Sequence, residues 1–546
     1  MSTRPKQPNL KTFVKHRQFA LLVGLLFSLG VWFRIANLDQ KVFWVDEVAT
    51  VIRAAGYTRS EVTTQLSNGQ LYSPTQLLFY QQLAPNRSLT DTLWALSRSP
   101  EHAPLYFLLS RFWMQLWGNS VLSVRSLSVL SSILTIPCVY WLCLQLSGSS
   151  RVSQMAVLLL SISPFFVAYA QEARPYSLWL LTVAALSGAL LRALRCQTLS
   201  SWAVYTLTLI ISLYTSLLTG LLAVGQAIFV MRAKPTNLRW FVIAAGLAGF
   251  AFLPWVWVMG QHWNALGANT TWMRTALNPL VMVAIWLYSF AVLFFDVPVV
   301  TQGWVAVAQA GIAASVLAIM GSGIYWLRRH PQQVNFLLIT LCLPIPLALS
   351  LLDLVFQGQA AATTRYLMPS QFGVLIATAS FLAMPQTPVS VQFKRMRQLS
   401  LSFLILLSLI SCIVNLNRSP DYQKDRNRAN PAIAAIINQS AAFTQPLLLA
   451  EPEQTMDLLS LSHNLDSTVQ IQILPTYQLA NQLKTKSTVA KPCNHFLLNP
   501  SDPLRITLQQ IPDLKLEERY QPDLLTAADR HLSLWTLHLP QCDTPN

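Results

Sequence analysis

The chain has 546 residues, 53% hydrophobic and only 11% charged, and a formal net charge of +16. A soluble protein of this length would carry about a quarter charged residues, so repeated apolar runs of bilayer length identify a polytopic α-helical membrane protein. Residues 417–546 hold 11 of the 38 basic and 13 of the 22 acidic side chains, so the positive excess belongs to the first 416 residues. It reads as membrane topology and handling of anionic lipid or phosphate, and no nucleic-acid-binding motif accompanies it.

Arg4, Lys6, Lys11, Lys15 and Arg17 precede the first apolar run, Gln18 to Leu38. Under the positive-inside rule the amino terminus is expected in the cytoplasm. No small-residue cleavage site follows the run, so it is expected to be an uncleaved anchor. Residues 38–119 then form one long external loop. Within it, the apolar stretch Ala103 to Trp117 is too short to cross and is expected to be an interfacial or re-entrant helix.

Further spans are expected near 120–146, 152–170, 176–195, 202–216, 217–231, 239–258, 304–327, 335–356, 366–384 and 399–416. Arg192/Arg195, Arg232/Lys234/Arg239, Arg328/Arg329 and Lys394/Arg395/Arg397 all fall on the cytoplasmic side if Leu280 to Phe295 does not cross. That segment is short and ends at Asp296-Val-Pro298, so it is read as re-entrant or surface-bound. The count is then eleven spans, rising to twelve or thirteen if these short segments cross.

Residues 417–546 are polar and nearly charge-balanced, and are expected outside as a separate small α/β domain. Strands are expected at Leu447–Ala450, Val469–Leu474, His495–Asn499 and Leu532–Leu539, with helices near Pro431–Ala442 and Pro503–Gln510. It carries no phosphate loop, zinc spacing or nucleophile motif, and reads as a cap over the external loops. Cys493 and Cys542 both lie in this domain, in an oxidising compartment where a disulfide is an option. Cys138, Cys143, Cys196, Cys342 and Cys412 lie within or beside apolar runs and read as packing residues.

The first 416 residues hold only nine carboxylates: Asp39, Asp46, Glu47, Glu61, Asp91, Glu101, Glu172, Asp296 and Asp353. The first seven fall in external loops on this topology. Acids gathered at one membrane face suit an enzyme working at that surface, whereas an ion transporter would bury acids in mid-span. Trp44-Val45-Asp46-Glu47 is the prominent pair, set just beyond the first span. Its bland alternative is a solvated turn that caps a following helix.

Three further segments reach the same face: His102-Ala-Pro-Leu-Tyr106, Tyr169-Ala-Gln-Glu172-Ala-Arg174-Pro-Tyr176 and Thr363-Thr-Arg365-Tyr366-Leu-Met-Pro369. An arginine at the interface offers paired N–H donors to a phosphate, and a neighbouring tyrosine suits the border between lipid and water. Arginines at helix ends also snorkel, which is the ordinary alternative. Asp296 and Asp353 read as boundary residues or helix ends.

The order of Asp46-Glu47, His102-x-Pro-Leu-Tyr106, Ala173-Arg174-x-Tyr176 and Arg365-Tyr366 resembles the membrane glycosyltransferases of the GT-C fold. Within them it resembles the branch of protein O-mannosyltransferases and lipid A aminoarabinose transferases, over roughly residues 18–416. The resemblance implies a polyprenyl-phosphate sugar donor and a lipid, glycan or protein acceptor on the extracytoplasmic face of the plasma membrane. It implies Asp46 as general base in an inverting transfer, with Glu47 beside it orienting the acceptor, contacting the sugar or helping to hold a metal. His102, Glu172, Arg174, Tyr176, Arg365 and Tyr366 are then expected at the donor phosphate or substrate. Some relatives use a divalent cation and others do not, so the metal is left open. Two positions depart from the family pattern: Ala103-Pro104 stands where Pro-Pro is frequent, and Tyr214-Thr-Ser216 lacks the histidine of a Tyr-x-His.

The alternative class is a lipid or polyprenyl-carrier transporter whose external loops gate a hydrophobic groove.

Overall fold

The computed structural model describes residues 10–383, 390–441, 445–484, 495–512, 514–521 and 532–538. Cys493 and Cys542 lie outside the described residues, as do Arg4 and Lys6. The chain divides into two compact units: 1–38, 99–106 and 125–420 form one, and 39–98, 107–124 and 421–546 form the other.

The first unit is helical and makes the chain a multi-pass membrane protein. Among the described residues seven helices are long and apolar enough to cross a bilayer: Gln18–Ile35, Val121–Ser147, Tyr176–Cys196, Pro235–Gln261, Gly303–Leu327, Thr364–Ala383 and Val391–Val414. Two expected crossings are bent pairs, Ser150–Ile162 with Pro164–Ala170 at 61° and Pro331–Cys342 with Pro344–Phe356 at 42°. Each bend falls where a proline removes a backbone donor and crowds the preceding turn. The remaining two expected crossings, Leu199–Thr215 and Thr219–Ala233, are shorter, at 17 and 15 residues. At about 1.5 Å per residue neither reaches the roughly 30 Å of a bilayer core when straight. Pro279–Ala291, within the segment expected not to cross, has 13 residues and is shorter still.

The 61° bend shows how this unit closes around buried polar groups. Pro164 leaves carbonyls of the preceding turn without helical donors. The Arg34 guanidinium, fully buried, donates through Nη1 to Ser161 O at 2.6 Å and through Nη2 to Leu160 O at 3.1 Å. Its Nε reaches Ser132 Oγ at 2.8 Å and its Nη1 the Gly30 carbonyl at 2.8 Å. Arg34 is thus a buried hub that ties three helices together. The approach is close enough that a Cβ on Gly30 would lie 2.2 Å from Ser161 O.

Among the described residues the second unit is a six-stranded sheet with helices. Its strands are β1 (Leu71–Tyr72), β2 (Leu447–Ala450), β3 (Gln470–Ile473), β4 (His495–Leu498), β5 (Lys515–Tyr520) and β6 (Leu534–His538), in the order β1-β3-β2-β4-β6-β5. β2 pairs in parallel with both β3 and β4, with Leu448 opposite Ile471 and Phe496. β1, β5 and β6 are antiparallel to their neighbours. β2, β3, β4 and β6 fall within the strands expected at 447–450, 469–474, 495–499 and 532–539, and helices Asn430–Ala441 and Asp502–Gln509 overlap those expected at 431–442 and 503–510, with Ala442 and Leu539 outside the described residues.

The boundary between the units differs from the sequence expectation. Most of residues 38–119, expected as one external loop, fold with residues 421–546, while Ser99–Tyr106 stays with the first unit, and the Leu71–Tyr72 segment supplies an edge strand to the sheet.

Candidate active site

Asp46 and Glu47 occupy the first turn of helix Val45–Ala55, in the second unit. The amphipathic run Val48, Val51, Ile52 and Ala55 forms this helix by burying one face, and Gly56 ends it at φ 94°. The two acids have different surroundings. Asp46 is half-buried, and its carbonyl accepts from Thr50 Oγ1 at 2.9 Å. Glu47 is fully buried, and its Oε2 accepts from Lys424 Nζ at 3.0 Å and from the Trp44 amide at 3.4 Å. The second contact is the reach-back arm of a capping box.

The segment leading into this helix is held from residues 424–460. Lys424 Nζ also donates to Val42 O at 2.8 Å, and Ser460 Oγ donates to Phe43 O. The Val45 amide donates to Asn427 Oδ1 at 3.0 Å, while Asn427 Nδ2 donates to the buried Asp457 at 2.9 Å. Lys424 gave no signal in the sequence, where it reads as one solvated charge in a polar stretch.

The other expected site residues lie in the first unit. Gln171 Nε2 donates to Phe33 O at 2.8 Å and Ala36 O at 2.9 Å, which pins the turn 171–175 to the end of the first span. Glu172 and Arg174 in that turn are 1% and 4% exposed. The Arg174 guanidinium lies 5.7 Å from the Tyr176 ring centre, and Tyr176 meets Tyr169 edge-on at 5.3 Å. The Tyr106 hydroxyl is 2.7 Å from Ser128 Oγ, which donates to Arg174 O at 3.2 Å. The structure therefore joins the His-x-Pro-Leu-Tyr and Ala-Arg-x-Tyr motifs through one serine on Val121–Ser147.

Arg365 and Tyr366 stand on a short 3-10 turn, Thr364–Leu367, both half-buried. The Arg365 guanidinium lies 5.8 Å from the Tyr366 ring and 5.9 Å from Trp272, a residue the sequence did not single out. Gln359 fixes this region to residues 272–273, its amide on Met273 O and its side chain on Trp272 O, both at 2.8 Å. His102 Nε2 lies 3.6 Å from Glu101, whose two oxygens each accept from Asn269 Nδ2 at 3.1 Å.

Most carboxylates of the first 416 residues have identifiable structural duties. Glu61 pairs with Arg87. Asp91 accepts from the amide and hydroxyl of Ser88 at the start of its helix, and these bonds hold its carboxyl below the usual range. Asp296 accepts from Asn415 at 2.7 Å, and Asp353 accepts from the Ala360 and Ala361 amides at 2.8 and 2.7 Å. Asp353 lies in the last turn of helix Pro344–Phe356, and Asp296 lies beyond the end of Pro279–Ala291. Among the described residues no group of three or more His, Cys, Asp or Glu is arranged to hold a metal ion.

Residues 101–258 match the family model described as dolichyl-phosphate-mannose-protein mannosyltransferase. No curated protein sequence matches the chain. Among solved structures, ArnT from Cupriavidus metallidurans bound to undecaprenyl phosphate is 11% identical. That match covers 96% of this chain and 99% of that one, with a TM-score of 0.55. The apo state of the same ArnT is also 11% identical, covering 98% and 100% with a TM-score of 0.54. At this identity the match establishes the fold. The chain resembles GT-C membrane glycosyltransferases of the mannosyltransferase and ArnT type, with the ArnT architecture along nearly its whole length.

Proposed function

We propose that this protein is a membrane glycosyltransferase that moves a sugar from a polyprenyl-phosphate donor to an acceptor hydroxyl on the extracytoplasmic face. The observation that carries the reading is the setting of Asp46. It is a half-buried carboxylate on the opening turn of an anchored helix, in a chain whose fold matches ArnT end to end. The bound undecaprenyl phosphate of that ArnT structure supports the donor class. The mannosyltransferase family match over 101–258 supports the reaction class.

In the proposed reaction the Asp46 carboxylate accepts the proton of the acceptor hydroxyl as its oxygen attacks the anomeric carbon. An alcohol is a poor nucleophile until its proton has somewhere to go. The bond from the anomeric carbon to the phosphate oxygen breaks, and polyprenyl phosphate leaves with the electron pair. A single displacement inverts the anomeric centre. Negative charge grows on the phosphate, where Arg174 and Arg365 supply paired donors and Tyr176 and Tyr366 hold the border. Glu172 and His102 are assigned to the sugar side. Glu47 orients the motif through its ion pair with Lys424. The basic clusters support, under the positive-inside rule, an amino terminus in the cytoplasm of a plasma-membrane protein, with residues 417–546 outside.

The test is to incubate the purified protein with a panel of radiolabelled polyprenyl-phosphate sugars and membrane lipid acceptors. The expected outcome is consumption of one donor and a product of opposite anomeric configuration by NMR. Retained configuration would overturn the single displacement, and no turnover of any donor would overturn the function.

A further inference from the structure

We infer that Lys424 is a positioning residue for Asp46: its buried ion pair with Glu47 makes the domain after the last span a clamp on the acid motif. The inference deepens the proposed function and rests on Asp46 being the base. It departs from the sequence reading of residues 417–546 as a cap.

Three observations in the second unit carry it. First, the pair is dry: Glu47 and Lys424 have side-chain exposures of 0% and 1%, with Nζ to Oε2 at 3.0 Å. Burying two opposite charges seldom gains net stability over a well-packed apolar pair, so a dry ion pair is better explained by the conformation it enforces. Second, Lys424 sits at φ 63°, a left-handed backbone conformation uncommon for a residue with a side chain. Non-glycine residues persist there where surrounding contacts hold them. Here the contacts are the Val42 carbonyl and Glu47, both accepting from the same ammonium.

Third, the grip is distributed across the approach to the helix. Residues 42, 43, 45 and 47 are each bound from the 424–460 region, through Lys424, Ser460, Asn427 and again Lys424. Asp46 follows the last gripped amide and precedes the gripped carboxylate. Its backbone is therefore fixed on both sides. The ammonium also cancels the Glu47 charge, so Asp46 does not share its turn with an uncompensated second anion. A general base must hold its geometry to within a fraction of an ångström, and a 1 Å misplacement costs about a hundredfold in rate.

The experiment compares the full-length protein with Lys424→Gln, Lys424→Arg and the double variant Glu47→Gln/Lys424→Gln. Two quantities are read: hydrogen exchange of residues 42–50, and kcat and KM for the polyprenyl-phosphate sugar that the wild type consumes. In Lys424→Gln exchange over 42–50 should accelerate and kcat should fall about tenfold or more, with donor KM changing less than about twofold. Lys424→Arg should recover most of kcat. The double variant, which buries no unpaired charge, should fold like the wild type yet stay low in kcat. Should Lys424→Gln not accumulate, the double variant and Asn427→Ala carry the same comparison.

Unchanged exchange in Lys424→Gln would overturn the clamp. Faster exchange with wild-type kcat would overturn its bearing on catalysis while leaving the proposed function standing. A wild type that turns over no donor would sink the functional reading on its own, and the exchange rates would still decide whether the clamp exists.

Discussion

Two neighbouring acids in one helical turn meet different fates because each points at different chemistry. Glu47 turns inward to an ammonium and a backbone amide, and Asp46 stays half-buried beside it. The sequence marked both, since an acid pair beside a span is scarce, but adjacent residues cannot be told apart without knowing which way each faces. The arginines divide similarly. Arg34 is a fully buried structural hub, while Arg365 is half-buried beside two aromatic rings. Replacing Arg365 with alanine should weaken donor binding about tenfold, or about 1.4 kcal/mol, with acceptor KM little changed. Titration of the purified variant with donor lipid reads this directly, and unchanged donor affinity would remove Arg365 from the phosphate site.

Elements were legible wherever a hydrophobic pattern defined them. Each expected span is helical, because some twenty apolar residues in lipid have no other way to satisfy their backbone. The bends and the short members were not legible, because they arise from partners distant in sequence. Arg34 can offer donors to the carbonyls freed by Pro164 only once its helix lies against that turn. Gly30 permits that approach, and Gly24, one turn and a half earlier on the same helix, faces open space. Gly30→Ala should therefore lower stability by about 1–3 kcal/mol, read as a lower thermal midpoint in detergent. Gly24→Ala should leave it unchanged or raise it. Equal midpoints for the two variants would show that the close approach carries no weight.

The sheet gives the complementary lesson. Four strands announced themselves as apolar runs, but β5, Lys515–Tyr520, is a charged edge strand with mostly exposed side chains. Charges on an edge guard against pairing with other chains, and they also erase the alternation that signals a strand. β1 has two residues and exists only because β3 is there to pair with it.

At the scale of the whole molecule, sequence order misleads about what folds with what. The loop 38–119 and the region after the last span are separated by hundreds of residues, yet most of the loop folds with residues 421–546. A composition profile sees a polar loop and a polar tail and assigns them separate roles. The contacts of Lys424, Asn427 and Ser460 with residues 42–47 join the tail to the acid motif. They give that tail a reason to be there that no motif within it could supply.

The central claim is that Asp46 takes the acceptor proton, and Asp46→Asn tests it most directly, because asparagine keeps the shape and removes the basic oxygen. The measurement pairs sugar transfer with donor binding in the same purified preparation. Transfer should fall by at least about a hundredfold, with donor affinity within about twofold of the wild type and an unchanged thermal midpoint. Transfer at the wild-type rate by a folded, donor-binding Asp46→Asn protein would contradict the account.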